Sequence, residues 1–255
     1  MLIHPSLEKL KTLKLPGMAL ALEVQIGSPE YQKLSFEERL GLLVDNEITE
    51  RENRRLTSRL KTANLKHNAC MQNIDYRSSR KLDKALLCSL ETCLWISSHK
   101  NIIVTGATGT GKSFLAEALA HNACVKGYRA RTIRMPKFFS EIELAKADGS
   151  YLSLMKSLSK YDVLTLDDFG ISSLKDEQRR DLLEIVEDRH NQTSTIITSQ
   201  LPVKLWHQAI GDSTLADAIL DRLVHNAYRI ELEGESMRKI LSNNKETNNE
   251  KGIKK

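Results

Sequence analysis

Apolar positions follow two different rhythms along the chain. Up to about residue 97 they recur at helical spacing. Leu40, Leu43, Ile48, Leu56 and Leu60 fall within one long predicted helix, and charge is dense from Glu47 to Arg59. Ser35-Phe-Glu-Glu38 has the form of a capping box, with Ser35 as N-cap and the Glu38 carboxylate reaching back to its amide. Upstream, Leu15-Pro16-Gly17 breaks a short first helix, and Ser28-Pro29 interrupts the next stretch. This part reads as a small, charged, all-helical adaptor.

Beyond residue 97 the rhythm changes. Asn101–Thr105 is a short β-branched apolar run that ends in glycine. Arg129–Met135, Val163–Leu166, Ser194–Thr198 and Tyr228–Leu232 are further strand candidates. Helical patterns over Lys112–Val125, Lys137–Leu144 and Gln178–His190 separate them. Alternating strands and helices predict an α/β fold with a parallel sheet covered on both faces. The predicted domains are a helical N-terminal domain at 1–68, an α/β core at 69–242 and a disordered, polar and basic tail at 243–255.

The first strand leads into Gly106-Ala107-Thr108-Gly109-Thr110-Gly111-Lys112-Ser113, which fits the P-loop pattern G-x-x-x-x-G-K-[ST] at every fixed position. Glycines let the backbone turn tightly and aim successive N–H groups at phosphate, and the helix that follows adds the positive end of its dipole. Lys112 then places a charge on the β- and γ-phosphates, and the Ser113 hydroxyl is a Mg²⁺ ligand. The expected ligands are therefore ATP and Mg²⁺, and the expected reaction is ATP hydrolysis.

Tyr161-Asp-Val-Leu-Thr-Leu-Asp167-Asp168 is a mostly apolar strand ending in two acids, at the sheet edge where open α/β folds bind ligands. Asp167 suits a metal, directly or through water, and Asp168 suits the polarisation of an attacking water. Thr195-Ile-Ile-Thr-Ser199-Gln200 ends in polar residues, either of which could sense the γ-phosphate. Arg222 and Arg238 could each bring a guanidinium to that phosphate, the former from a neighbouring subunit. An ordinary surface arginine, in the case of Arg222 paired with Asp217 or Asp221, is the competing reading.

Composition narrows the class. The net charge is +5 and the pI near 8.9, which permits nucleic-acid binding without establishing it. No apolar run reaches the ~18 residues of a membrane span, and no signal-peptide core opens the chain, so a cytoplasmic location is expected. Cys70, Cys88, Cys93 and Cys124 lack zinc-site spacing and read as reduced thiols.

These motifs together resemble the IstB-like family, ATP-dependent helpers of IS21-type transposition, and more distantly the DnaC helicase loaders; both belong to the AAA+ class. The resemblance rests on Leu15-Pro-Gly-Met18, Ser35-Phe-Glu-Glu-Arg-Leu40, Glu50-Arg-Glu-Asn-Arg-Arg55 and Ile74-Asp-Tyr-Arg77. It continues through the P-loop, Leu166-Asp-Asp-Phe-Gly170, Thr198-Ser-Gln-Leu-Pro202, Asp221-Arg-Leu223 and Gly234-Glu-Ser-Met-Arg-Lys239. It implies an AAA+ core in which Asp167 holds Mg²⁺ and Asp168 polarises water. Ser199 or Gln200 takes the sensor-1 position, Arg222 that of an arginine finger and Arg238 that of sensor 2. It also implies duplex DNA, an IstA-like transposase and a homo-oligomer formed with ATP and DNA as partners. A helicase loader acting in replication is the alternative.

Overall fold

The computed structural model describes residues 5–76 and 80–237. The chain divides into two compact units, Met1–Ser58 and Arg59–Lys255. In the first, α1 (Pro5–Thr12) and α2 (Pro16–Gly27) precede the long α3 (Phe36–Ala63). The capping box is present: Ser35 N donates to Glu38 Oε2 at 2.8 Å, and Glu38 N donates to Ser35 Oγ at 3.2 Å. The Leu-Pro-Gly-Met motif has a packing explanation. A Cβ on Gly17 would stand 2.6 Å from the Asn46 carbonyl oxygen, so only glycine lets α2 approach α3 there. The buried Glu47 carboxylate accepts the Gly17 and Met18 amides at 2.8 and 3.2 Å, satisfying two donors at the start of α2. The Arg51 side chain beside it, helped by those amides, holds its pKa below the usual range.

In the second unit, α4 (Lys84–Glu91) and α5 (Leu94–Ser97) lead into the sheet. The strands are β1 (Asn101–Gly106), β2 (Ala130–Arg134), β3 (Val163–Phe169), β4 (Ser194–Ser199) and β5 (Ala227–Leu232). All pair in parallel, in the order β2-β3-β4-β1-β5, and the five sequence-predicted strands are all present. The helices between them are α6 (Lys112–Val125), α7 (Met135–Ala147), α8 (Tyr151–Leu158), α9 (Asp176–Arg189), α10 (Trp206–Ile210) and α11 (Ser213–Val224). The helix α8 had no expected counterpart; the turn at Gly149 splits the crossover between β2 and β3 into two helices.

Ile102, Ile103, Val104, Leu164, Leu166, Ile196 and Ile197 are almost wholly buried, as strands covered on both faces must be. Arg189, 4% exposed, ties the sheet's N-terminal edge together. Its guanidinium donates to the Leu158, Tyr161 and Ser194 carbonyls, and burial lowers its pKa to about 10. Of the four thiols, Cys93 and Cys124 are buried, Cys70 is half-buried and Cys88 is exposed.

Candidate functional site

β1 ends at Gly106 and α6 starts at Lys112, so residues 106–111 form the turn between them. Gly106, Gly109 and Gly111 all have positive φ. Gly109 also lies under the segment after β5. A Cβ there would meet Ser236 Oγ at 2.2 Å, and Met237 N donates to its carbonyl at 2.9 Å. Lys112 is 6% exposed, and its ammonium donates to the Ala107 carbonyl at 2.8 Å. Burial lowers its pKa, and Asp168 and Asp167 oppose that shift. The buried residue Arg80 contacts the loop, with Nη1 donating to the Thr110 carbonyl at 3.4 Å.

The acids of β3 stand next to this loop. Asp167 Oδ1 accepts from Ser113 Oγ at 2.7 Å and from Thr198 Oγ1 at 2.6 Å. The β3–β4 register shifts between Leu166 and Phe169, and Asp168 at that irregularity has φ 65°. A bulge re-aims a side chain in this way. The left-handed conformation costs of order 1 kcal/mol or more and is tolerated best by residues such as aspartate. Thr198 Oγ1 accepts the Asp168 amide at 3.1 Å, so one hydroxyl organises both acids. The Asp168 carboxylate is held by Arg134, at the end of β2, through Nε at 2.8 Å and Nη2 at 2.7 Å.

The two residues at the end of β4 differ. Ser199 is fully buried; its hydroxyl donates to the Phe169 carbonyl at 2.7 Å and accepts the Leu201 amide at 3.0 Å. Gln200 faces the P-loop, and its Oε1 accepts from Thr108 Oγ1 at 2.8 Å. Lys112, Ser113, Asp167, Asp168 and Gln200 thus line one cleft of about 690 Å³. The cleft extends to Lys66, His67, Asn73, Phe114 and Glu117.

Arg222 lies elsewhere. Its carbonyl and that of Leu223 accept from Asn101 Nδ2, both at 3.2 Å, at the first residue of β1. The P-loop begins at the other end of that strand, about 17 Å away at ~3.3 Å per residue. The guanidinium of Arg222 pairs with Glu187 on α9, and Nη1 donates to the Ala218 carbonyl at 2.9 Å. Asp217 and Asp221, the partners considered from sequence, face His207 and His225 instead. Arg238 lies outside the described residues.

Sequence reading missed Thr198, Arg134 and Arg80. Thr198 carried a signal, being the hydroxyl residue just before the two polar residues already singled out. Arg134 and Arg80 come from the end of another strand and from a loop, and nothing local marks them.

The residues fit the ligands expected of them. A hydroxyl and a carboxylate converge beside a buried ammonium and a glycine-walled turn, a donor set that suits Mg²⁺ and phosphate. The match to known proteins has the same reach: the model of the family described as IstB-like ATP binding protein matches residues 8–245. The chain belongs to that family. A Sinorhizobium fredii protein described as an insertion sequence ATP-binding protein is 49% identical over 239 residues, covering 94% of this chain and 98% of its own. Among solved structures, the replication initiator DnaA, bound to AMPPCP and single-stranded DNA, superposes with a TM-score of 0.58 at 19% identity, covering 72% of this chain and 56% of its own. A DnaC helicase loader superposes at 0.54 with 20% identity, covering 65% of this chain and 97% of its own. These likenesses establish the AAA+ P-loop fold, and family membership makes the chain an ATP-binding protein of the insertion-sequence type. No described helix is long and apolar enough to cross a membrane.

Proposed function

We propose that the protein hydrolyses ATP to ADP and phosphate, and that the site needs a neighbouring subunit to do so. The observation that carries this is the meeting of Ser113 Oγ and Asp167 Oδ1 at 2.7 Å beside Lys112. Ser113 and Asp167 would hold Mg²⁺, which when bound neutralises charge on the β- and γ-phosphate oxygens. The backbone of 106–113 cradles the phosphates, and Lys112 leaves the Ala107 carbonyl for the β- and γ-oxygens. Asp168 orients and polarises the water that attacks the γ-phosphorus as the bond to the β-phosphate oxygen breaks. Gln200 rather than Ser199 is the sensor, because the Ser199 hydroxyl is spent on backbone partners inside the sheet. Arg222 serves the cleft of another subunit, and Arg238 is proposed as sensor 2 of its own.

The wider role we propose is that of a transposition helper. In it, ATP-bound subunits assemble on duplex DNA in the cytoplasm, remodel it as a target and recruit an IstA-like transposase. The relatives' description as insertion sequence proteins supports this, together with the net charge of +5 and the exposed Lys137, Lys156 and Lys160 on and after α7 and α8. The likeness to a DnaC helicase loader favours a second reading, in which the partner is a replicative helicase. Pull-down with a transposase against a replicative helicase, with ATP present, separates the two. The test of the proposal is ATP turnover and duplex binding measured together. Both should require ATP, with turnover also lost on chelating Mg²⁺, and binding should weaken steeply with salt because phosphate contacts dominate it. Turnover in EDTA, or duplex binding without nucleotide that ignores salt, contradicts it.

A further inference from the structure

Glu117 is a buried carboxylate that ATP hydrolysis as described does not use. Its side chain is 3% exposed and sits on α6, five residues after Lys112 and so about 7.5 Å further along the helix. Its Oε2 accepts the backbone amides of Lys66 at 3.0 Å and His67 at 2.8 Å, and it contacts His67 Nδ1 at 3.0 Å. A short stretch of irregular chain after α3 is thereby pinned to the helix that begins at the P-loop. The His67 ring also meets Phe114, the residue after Ser113, edge-on at 6.5 Å and 63°. Both rings line the nucleotide cleft, and His67 remains about half exposed to it.

The hydrogen bond fixes more than position. A carboxylate only accepts, so Nδ1 must carry the proton. In the neutral ring Nε2 then holds a lone pair, and it has no hydrogen-bond partner among the described residues. A nucleoside triphosphate with its phosphates on residues 106–113 directs its base along the rest of the same cleft, where this acceptor waits. We propose that His67 reads the 6-position of the purine. Nε2 accepts from the 6-amino group of adenine and opposes the 6-oxo oxygen of guanine or hypoxanthine, which is itself an acceptor. Glu117 acts through His67 as a positioning residue: it sets the tautomer and holds the ring in place. The inference rests on ATP binding in this cleft.

The test is equilibrium binding at pH 8 of three triphosphates that differ only at the 6-position: ATP, the 6-unsubstituted purine riboside triphosphate, and ITP. The wild-type protein should bind ATP about 10-fold more tightly than the unsubstituted purine, since one hydrogen bond is lost, and ITP should be weaker still because two acceptors face each other. His67→Ala should bring all three within about twofold. Glu117→Ala is the sharper variant. The Lys66 and His67 amides and Nδ1 all meet the same oxygen, Oε2, so a glutamine carbonyl in its place would still fix the tautomer. Glu117→Ala instead frees the ring to carry its proton on either nitrogen and should shrink the ratio of ATP to ITP affinity toward one. A purely structural role for Glu117 would weaken all three ligands alike. Equal wild-type affinity for ATP and ITP overturns the assignment, as does an unchanged ratio in His67→Ala. The wild-type series stands even if a variant fails to fold. If the wild-type protein binds none of the three, the ATP-binding reading of the cleft fails, which is distinguishable from a loss of discrimination.

Discussion

At its C-terminal end β1 runs into Gly106 and the phosphate-binding turn; at its N-terminal end Asn101 donates to the carbonyls of Arg222 and Leu223. The first end collects Lys112, Ser113, Asp167, Asp168 and Gln200 into one cleft. The second end holds a guanidinium braced by Glu187 and its own helix. Five residues of extended chain, about 17 Å, lie between them. An arginine side chain cannot span that distance within one subunit. Any role of Arg222 in hydrolysis would therefore have to be played on a neighbour, which is the arrangement proposed above, with the two ends of the strand serving one intersubunit site.

The largest expected effect breaks the second edge. Arg222→Ala should lower the turnover of the assembled protein by about 10³–10⁵-fold, the range of arginine fingers elsewhere, while leaving ATP affinity of the single subunit unchanged. Stopped-flow phosphate release and nucleotide titration read the two. At the first edge, Asp168→Asn should reduce turnover by about 10²–10⁴-fold, the usual value of positioned proton-transfer groups. ATP should stay bound, because Ser113 and Asp167 are untouched, and a long-lived DNA complex should accumulate in gel-shift assays. Lys112→Ala acts on binding. It removes a charge-assisted contact worth about 1.5–3 kcal/mol, so ATP affinity should fall by at least about tenfold. Thr198→Val deletes the hydroxyl shared by Asp167 and the Asp168 amide, and should cost about 1–3 kcal/mol of stability, read as the denaturation midpoint. The smallest effect concerns Arg134. Its pairing occupies the Asp168 carboxylate, so Arg134→Ala should raise unstimulated hydrolysis up to about fivefold, in keeping with about 1 kcal/mol for a partly exposed pair.

The two edges also differ in how much of them could be read from sequence. The P-loop is a contiguous motif because one strand, one turn and one helix start build it, so each residue's neighbours in sequence are its neighbours in space. The strand-end acids were visible for the same reason, and β-branched runs placed the strands of the parallel sheet. Contacts that cross the sheet were not visible. Arg134 reaches Asp168 because β2 and β3 pair with Arg134 opposite Asp167, and that register has no local signature. Ser199 and Gln200 look alike as polar residues at a strand end. What separates them is that Ser199 is the last residue of β4 and bonds within the sheet, whereas Gln200 lies just past the strand and meets Thr108. Glu117 reads as an ordinary acidic helix residue until Lys66 and His67 fold back onto it. The partner of Arg222 was misplaced for a similar reason: Glu187 lies on another helix, 35 positions away in sequence, and outcompetes the acids beside Arg222.

Mixing two inactive variants tests the central claim most directly. Arg222→Ala subunits keep an intact P-loop without the arginine, and Lys112→Ala subunits keep the arginine without a working P-loop. Each alone should be inactive on duplex DNA. Together they should regain part of the wild-type ATPase rate, since some interfaces then pair an intact P-loop with an intact Arg222. Wild-type turnover by Arg222→Ala alone, or no recovery in a mixture shown to co-assemble, would contradict the two-edged site.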